Sequence, residues 1–298
     1  MNDLSSRFNT HPATRDHAEG ILAVGIARDI ADVGYPDYAL DDVHEELAEA
    51  EDAWVVTDES GSVVAYALLE GGDARVGVHP DACGEGIGTW LRERMEEKRG
   101  AGVIMQYVAG SNDPARRLLI EAGYSTSQYY FRMVRDLDGE LAEAAWPAGV
   151  EVRPYALGGD DPAAHALVQD AFTDIPGNVT RGFDEWRARA VAGAQFAPEL
   201  SIVALDGGRL AGVVLCDRWE EGQGYVSHIA TARDWRGRGL GRALLAAALV
   251  GMRDSGLPRA ALSVNGRNES ATRLYESVGM RVGSRAERYD KQLPDAAA

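Results

Sequence analysis

The chain has 298 residues, 45% of them hydrophobic, and a formal net charge of −17, which is long enough for two domains that each bury a core. No run of 18 apolar residues occurs, which excludes a membrane-spanning helix, and the acidic excess argues against nucleic acid as a partner, because phosphate contacts supply most of that affinity. Two distant cysteines, Cys83 and Cys216, and six histidines without ligand spacing predict a reducing compartment, no disulfide framework and no metal.

The first segment, MNDLSSRFNTHP, lacks the basic and apolar regions of a signal peptide, so a cytoplasmic location is expected. Residues His17–Ile30 and Leu40–Ala50 read as helices. Trp54 to Leu69 alternates apolar residues around Ser60-Gly61, a hairpin pattern. A third strand ends near Val78, and a turn with Gly84, Gly86 and Gly88 leads into a helix whose stripe is Ile87, Trp90, Leu91 and Met95. A strand, the helix Asn112 to Gly123 and a strand-like Tyr129–Val134 follow. The Ala/Glu/Pro-rich stretch Gly139–Gly149 reads as a join.

The same order then repeats. Pro162–Phe172 and Phe183–Val191 are predicted helices with a turn at Asp174-Ile-Pro-Gly between them. Ser201 to Leu215 is a hairpin around Gly207-Gly208, and Tyr225 to Thr231 is a strand. The turn Arg236-Gly237-Arg238-Gly239-Leu240-Gly241 opens a helix striped by Leu240, Leu244, Ala247 and Ala248. After the strand Arg259 to Val264, Asn268 caps a helix that Gly279 closes. Val78–Gly88 aligns with Thr231–Gly241 at an offset of 153, and Asn112–Tyr124 with Asn268–Met280 at an offset of 156. The chain is two copies of one fold, of class α/β (more closely α+β), with a mixed central sheet flanked by helices and domains at 1–146 and 147–298. Residues 1–146 carry 28 acidic and 12 basic side chains, against 19 and 18 in residues 147–298. The acidic half is either a solvated surface or an attraction for a cationic acceptor.

The strand, glycine turn and helix start at Tyr225 to Arg242 form an arrangement in which backbone N–H groups converge on an anion. Arg233, Arg236, Arg238 and Arg242 add guanidinium forks suited to phosphate. Glycines at 237, 239 and 241 miss the Rossmann spacing, and no lysine is near to make a P-loop. What they do fill, as Arg236, Gly239 and Gly241, is R/Q-x-x-G-x-G. This resembles the acyl-CoA-binding motif of the GNAT N-acyltransferases. The run Asn268-Glu-Ser-Ala271-Thr-Arg-Leu-Tyr275-Glu-Ser-Val-Gly279-Met280 resembles that family's second signature. The resemblance covers most of residues 147–293 and implies two tandem GNAT-like domains.

It further implies acetyl-CoA, or another short acyl-CoA, as co-substrate and direct transfer to a primary amine in a ternary complex. Ile229, Ala230 and Thr231 would carry the pantetheine, and a fixed N–H there would polarise the thioester carbonyl, worth ~3 kcal/mol. Arg236, Gly237, Arg238, Gly239, Leu240, Gly241 and Arg242 would hold the pyrophosphate, with Asn268, Ser270 and Tyr275 as further cofactor contacts. The family usually has an aliphatic residue at Thr231 and often proline at Arg233; neither change alters backbone donors. Tyr275 would donate to the departing thiolate, or else is simply a core aromatic. In the first copy Cys83 answers Arg236, Glu85 answers Arg238 and Leu119 answers Tyr275. With Asp81 and Glu85 beside the turn, that copy is expected to be mainly structural.

The general base is the weak point of the resemblance. The slots where the family carries Glu or His, eleven and nine residues before Arg236, hold Tyr225 and Ser227. His228 has the opposite parity and faces away from the acceptor in a regular strand; a bulge would turn it back. Glu220 and Glu221 would act through water. Freeing an alkyl amine of its proton at pH 7 costs ~4.6 kcal/mol, against ~1 kcal/mol for an α-amine, which favours an α-amino or amino-sugar nitrogen on a small molecule. Phe172, Tyr225 and Ser227 are the substrate-side candidates, with Asp174 and Trp186 near them. A decayed first copy with an intact second resembles the layout of the family's mycothiol synthase branch, which acetylates an aminosugar-linked cysteine; that branch's acidic residue is Tyr225 here. Other readings are acylation of a protein, or an acyl-CoA-binding sensor or scaffold without turnover. A monomer or homodimer is expected.

Overall fold

The computed structural model describes residues 4, 6–36, 38–173, 180–219 and 222–294. In chain order the first copy runs β1 (Asn9–Pro12), α1 (Ala18–Val33), α2 (Leu40–Glu49), β2 (Asp52–Thr57), β3 (Val63–Glu70), β4 (Asp73–Val78), α3 (Ile87–Arg99), β5 (Gly102–Ala109), α4 (Asp113–Glu121) and β6 (Ser125–Asp136). The second runs β7 (Glu151–Pro154), α5 (Asp161–Phe172), α6 (Phe183–Ala190), β8 (Ile202–Asp206), β9 (Arg209–Trp219), β10 (Gln223–Thr231), α7 (Leu240–Asp254), β11 (Arg259–Asn265), α8 (Glu269–Ser277) and β12 (Arg281–Leu293). The predicted repeat, element types and order are therefore present. Asp174, Glu220 and Glu221 lie outside the described residues. No described helix is long and apolar enough to cross a membrane.

Two compact units form, Met1–Tyr129 with Ser284–Ala298, and Tyr130–Gly283. They do not follow the expected 146/147 boundary, because each copy's final strand completes the other copy's sheet. In the first unit the strand order is β1-β2-β3-β4-β5-β12, and in the second it is β6-β11-β10-β9-β8-β7. β12 pairs antiparallel with β5 from Ala286↔Ala109 to Leu293↔Gly102. β6 pairs antiparallel with β11 from Tyr130↔Asn265 to Asp136↔Arg259.

The second unit is built for a helix to lie close on its sheet. α7 buries Leu240, Leu244, Leu245, Ala248, Leu249 and Met252, one apolar face at helical spacing. Two glycines let it approach. A Cβ at Gly212 would fall 2.8 Å from a Leu244 methyl, and one at Gly224 would fall 2.5 Å from Met252 Sδ. α5 covers β9 and β10 from the other face with Ala164, Leu167 and Val168. In the first unit α3 buries Ile87, Leu91 and Met95, and α1 buries Ile21 and Val24, with Trp54 of β2 edge-on to Trp90 at 5.8 Å.

Candidate active site

β10 carries the two irregularities that make a cleft. It pairs parallel with β11 only from Gln223↔Arg259 to Tyr225↔Ala261, although both strands continue. Beyond Tyr225 the two diverge, and the amides of β10 that do not pair with β9 point into the gap. The second irregularity is a bulge. Val226 pairs with Cys216 and His228 with Leu215, so Ser227 is the extra residue. Before the bulge Gly224 faces α7, and after it Thr231, opposite Gly212, does so. Tyr225 and His228 therefore share the α5 face despite their opposite parity. The bulge that would turn His228 towards the acceptor side is present.

At the mouth of the gap the chain turns through Gly237 and Gly239, with φ of 72° and 85°, values that favour glycine. Gly239 caps α7, and the helix's own bonding starts with Ala243 N–H to Gly239 O at 3.0 Å. The amides before Ala243 are thus not consumed by the helix. Arg236 and Arg238 flank them, exposed, with Arg238 stacked over Trp235 at 5.0 Å and Arg236 Nε donating to Thr231 O at 3.5 Å. Arg242 is in the first turn of α7. Arg233, counted among the phosphate arginines from sequence, is turned aside: its Nε donates to Asp170 at 3.2 Å.

Tyr275 of α8 is buried in the second unit's core. Burial first, and then the neighbouring Tyr225, push the Tyr275 phenol up to about 12. Against a thiol near ~8.5, complete proton transfer is uphill by about 5 kcal/mol, so a hydrogen bond to developing negative charge is its chemistry. Asn268 caps α8, its side-chain oxygen accepting from Ala271 N–H at 3.1 Å and Ser270 Oγ at 3.0 Å. Both side chains expected to touch cofactor are therefore engaged in the cap.

The model of the acetyltransferase (GNAT) family matches residues 24–124 and again 164–280. This chain belongs to the GNAT family. It is an acetyltransferase, built as a tandem of two GNAT repeats. A mycothiol acetyltransferase of Nocardiopsis dassonvillei is 32% identical over 254 residues, covering 74% of this chain and 76% of that one. One of Kineococcus radiotolerans is 33% identical over 237 residues, covering 76% and 77%. Among solved structures, a GCN5-related N-acetyltransferase from Sphaerobacter thermophilus aligns with a TM-score of 0.83 at 27% identity, covering 99% of each chain. A tandem GNAT protein from the clavulanic acid biosynthesis pathway shares the fold, with a TM-score of 0.75 at 17% identity, covering 97% of this chain and 100% of that one.

Within the second GNAT copy, the face of β10 that carries Tyr225 is lined by groups that differ sharply in chemistry. The Trp219 and Tyr225 rings stack at 4.5 Å, and the Arg132 guanidinium lies over them at 4.7 and 5.5 Å while donating to Gln223 Oε1 at 2.7 Å. Phe172 reaches His228 at 6.1 Å between ring centroids, so the expected substrate-side residues Phe172, Tyr225 and Ser227 are on or beside one face. Trp186 is not with them; it is buried against His165 and Phe183 between α5 and α6. The His228 Nδ1 has no hydrogen-bond partner among the described residues. Burial, with the Arg181 charge behind it, pushes the imidazole down to about 4. Taking a proton from an α-amine would then be uphill by about 5 kcal/mol, so His228 is a poor base even though it faces the right way.

A carboxylate that sequence reasoning passed over lies on the same face. Asp217 of β9 is directly opposite Tyr225. Burial pushes its carboxyl up to about 6, against the lowering effect of a hydrogen bond from Ser227. The hydrogen bond that the Ser227 hydroxyl donates in the structure runs to Leu215 O, at 3.2 Å. Separately, a hollow of about 470 Å³ bordered by Leu167, Leu210 and Ala232 has its rim charges paired, Arg209 with Asp234 and Arg233 with Asp170; neither Tyr225 nor Tyr275 lines it.

The first GNAT copy keeps the backbone of the turn but not its surroundings. Gly84 and Gly86 have φ of 86° and 81°, and Trp90 N–H bonds Gly86 O at 3.0 Å, as in the second copy. However, Glu85 projects beside the turn and pairs with Arg7 at 2.6 Å. β4 pairs with β3 from Ala65↔Val78 to Glu70↔Asp73 without a bulge. Leu119, where Tyr275 would be, is core. Among the described residues no group of three His, Cys, Asp or Glu side chains is placed to hold a metal ion.

Proposed function

We propose that this GNAT protein transfers an acetyl group from acetyl-CoA to the primary α-amine of a small molecule, in a ternary complex at the cleft of its second copy. The observation that carries this reading is the bulge at Ser227 beside the β10–β11 gap, together with the left-handed glycines at the gap's mouth. The pyrophosphate sits on the amides of Gly237 to Gly241 between Arg236 and Arg238, and the pantetheine runs along Ile229, Ala230 and Thr231. An amide of that run donates to the thioester oxygen as the acceptor nitrogen attacks, and Tyr275 donates to the departing sulfur. The first copy, lacking bulge, tyrosine and turn arginines, serves as scaffold.

The acceptor class follows from charge and kinship. An α-amine loses its proton for only ~1 kcal/mol at pH 7, and the relatives at 32 and 33% identity are mycothiol acetyltransferases. An acceptor of mycothiol type, with a cysteinyl amine, is accordingly the first to try. The test is release of free CoA thiol from acetyl-CoA against a panel of cysteinyl and other α-amines, amino sugars, polyamines and peptides. Turnover confined to α-amines and amino sugars supports the reading. Equal turnover of polyamines contradicts the acceptor class, and acetyl-CoA binding without thiol release to any amine contradicts catalysis.

A further inference from the structure

We infer that Asp217 is the proton acceptor for the incoming amine. This rests on the acetyl-transfer reading above and assigns a residue to a step that none of Tyr225, Ser227 and His228 can perform. The placement is geometric. In an antiparallel ladder, directly opposed side chains share a face with Cβ atoms about 5 Å apart, and Asp217 opposes Tyr225. Tyr225 in turn is the neighbour that raises Tyr275. Asp217 thus lies beside the ring that neighbours the Tyr275 phenol.

The titratable and charged groups around it are Cys216 of β9, Glu199 ahead of β8, Tyr225 and His228 of β10, and Arg132 of β6, which lies over the Tyr225 ring. His228 stays neutral and the Tyr275 phenol stays protonated at neutral pH, which leaves the Asp217 carboxylate placed to accept a proton there. Arg218, next to it on β9, points its charge at Glu199 at 3.2 Å. A carboxyl near 6 is poised for this work: ionised at pH 7, yet closer to the ~7.8 of an α-amine than the His228 imidazole is.

The step balances as follows. The acceptor arrives as an ammonium and gives one proton to Asp217, leaving a nitrogen lone pair. That pair forms the N–C bond to the thioester carbon, and the C–S bond breaks with its electrons on sulfur. Tyr275 holds the departing thiolate by a hydrogen bond, and that thiolate takes up the second proton that the nitrogen releases as the amide forms. Asp217 passes its proton to solvent, so amine cation and acetyl thioester become amide, thiol and one released proton.

The experiment measures thiol release by the full chain with two acceptors, an α-amine and an alkoxyamine whose nitrogen is unprotonated at neutral pH. Asp217→Asn is expected to lower kcat/KM for the α-amine about a hundredfold or more, and to lower it far less for the alkoxyamine, while the acetyl-CoA Kd stays put. Asp217→Glu should recover part of the loss. Asp217→Glu, which keeps a carboxylate at the position, serves if Asp217→Asn does not fold. Equal losses with both acceptors, no loss with either, or an Asp217→Glu chain no more active on the α-amine than Asp217→Asn overturn the assignment. A wild-type chain that transfers acetyl to no amine sinks the underlying reading instead, which separates the two failures.

Discussion

Tyr225 of β10 stands close enough to Tyr275 of α8 that it helps burial hold the Tyr275 phenol at about 12. A phenol so reluctant to ionise works by donating, and it keeps its proton across the whole working range of pH. Tyr275→Phe is expected to lower kcat about a hundredfold, the lower end of what positioned proton donors contribute, with the acetyl-CoA Kd within twofold. Wild-type kcat should show no alkaline loss up to pH 10 that depends on Tyr275. A Phe variant with full kcat, measured by thiol release, removes the tyrosine from the mechanism.

The two glycine turns offer an internal control. Gly239 and Gly86 have nearly the same backbone, with φ of 85° and 81° and nothing within 4 Å of a built Cβ. An alanine at either site incurs the same left-handed strain, about 1 kcal/mol. Only Gly239 is followed by amides that face a substrate phosphate in the proposed function. Gly239→Ala is therefore expected to weaken acetyl-CoA binding tenfold or more by calorimetry, and Gly86→Ala to leave it unchanged while costing similar thermal stability. Equal weakening by both would place a ligand on the first copy too.

The comparison of sequence with structure divides along the range of the signal. Helix stripes, the Asn268 cap and the glycine turns are local, and each is where the pattern puts it. The exchange of β6 and β12 is not local. The pairings Tyr130↔Asn265 and Ala286↔Ala109 differ by the same 156-residue shift that relates α4 to α8, so the two last strands carry interchangeable registers and no residue pattern chooses between them. Asp217 escaped for a related reason. Its position opposite Tyr225 depends on the hairpin register of β9 and β10, which no residue pattern in the sequence specifies.

The exchange has a consequence for truncation. Tyr289 is 1% exposed within the first unit's core, and its hydroxyl donates to Glu287, which also pairs with Arg116 of α4 at 3.1 Å. A chain ending at Gly283 loses that strand although the cut lies beyond the second repeat's signature helix. Calorimetry of the truncated protein is expected to show loss or marked lowering of a transition belonging to the first unit, while Tyr289→Ala alone costs 3–5 kcal/mol as a large-to-small core change. A residue 1–146 fragment should not fold either, since it lacks β12. Native-like melting of either truncated chain would contradict the strand exchange.

Asp217 also ties stability to pH in a direction opposite to the usual carboxylate. Burial holds it near 6, and Asp73 of β4 is raised to about 6 by burial and by Glu70, whereas the unfolded value is about 3.9. Between pH 4 and 6 the folded chain binds more protons than the unfolded chain at these two sites, so their contribution to stability falls as pH rises through that window. Above pH 6 each carboxylate costs on the order of 1–3 kcal/mol, discounted for partial exposure. Asp217→Asn removes that cost. It is expected to melt a few degrees higher than wild type at pH 7 and at the same temperature at pH 4, while losing turnover of α-amines. A variant that is more stable and less active at neutral pH separates a role in proton transfer from one in holding the fold, and a melting point lowered at pH 7 would show that Asp217 is instead a stabilising partner within the sheet.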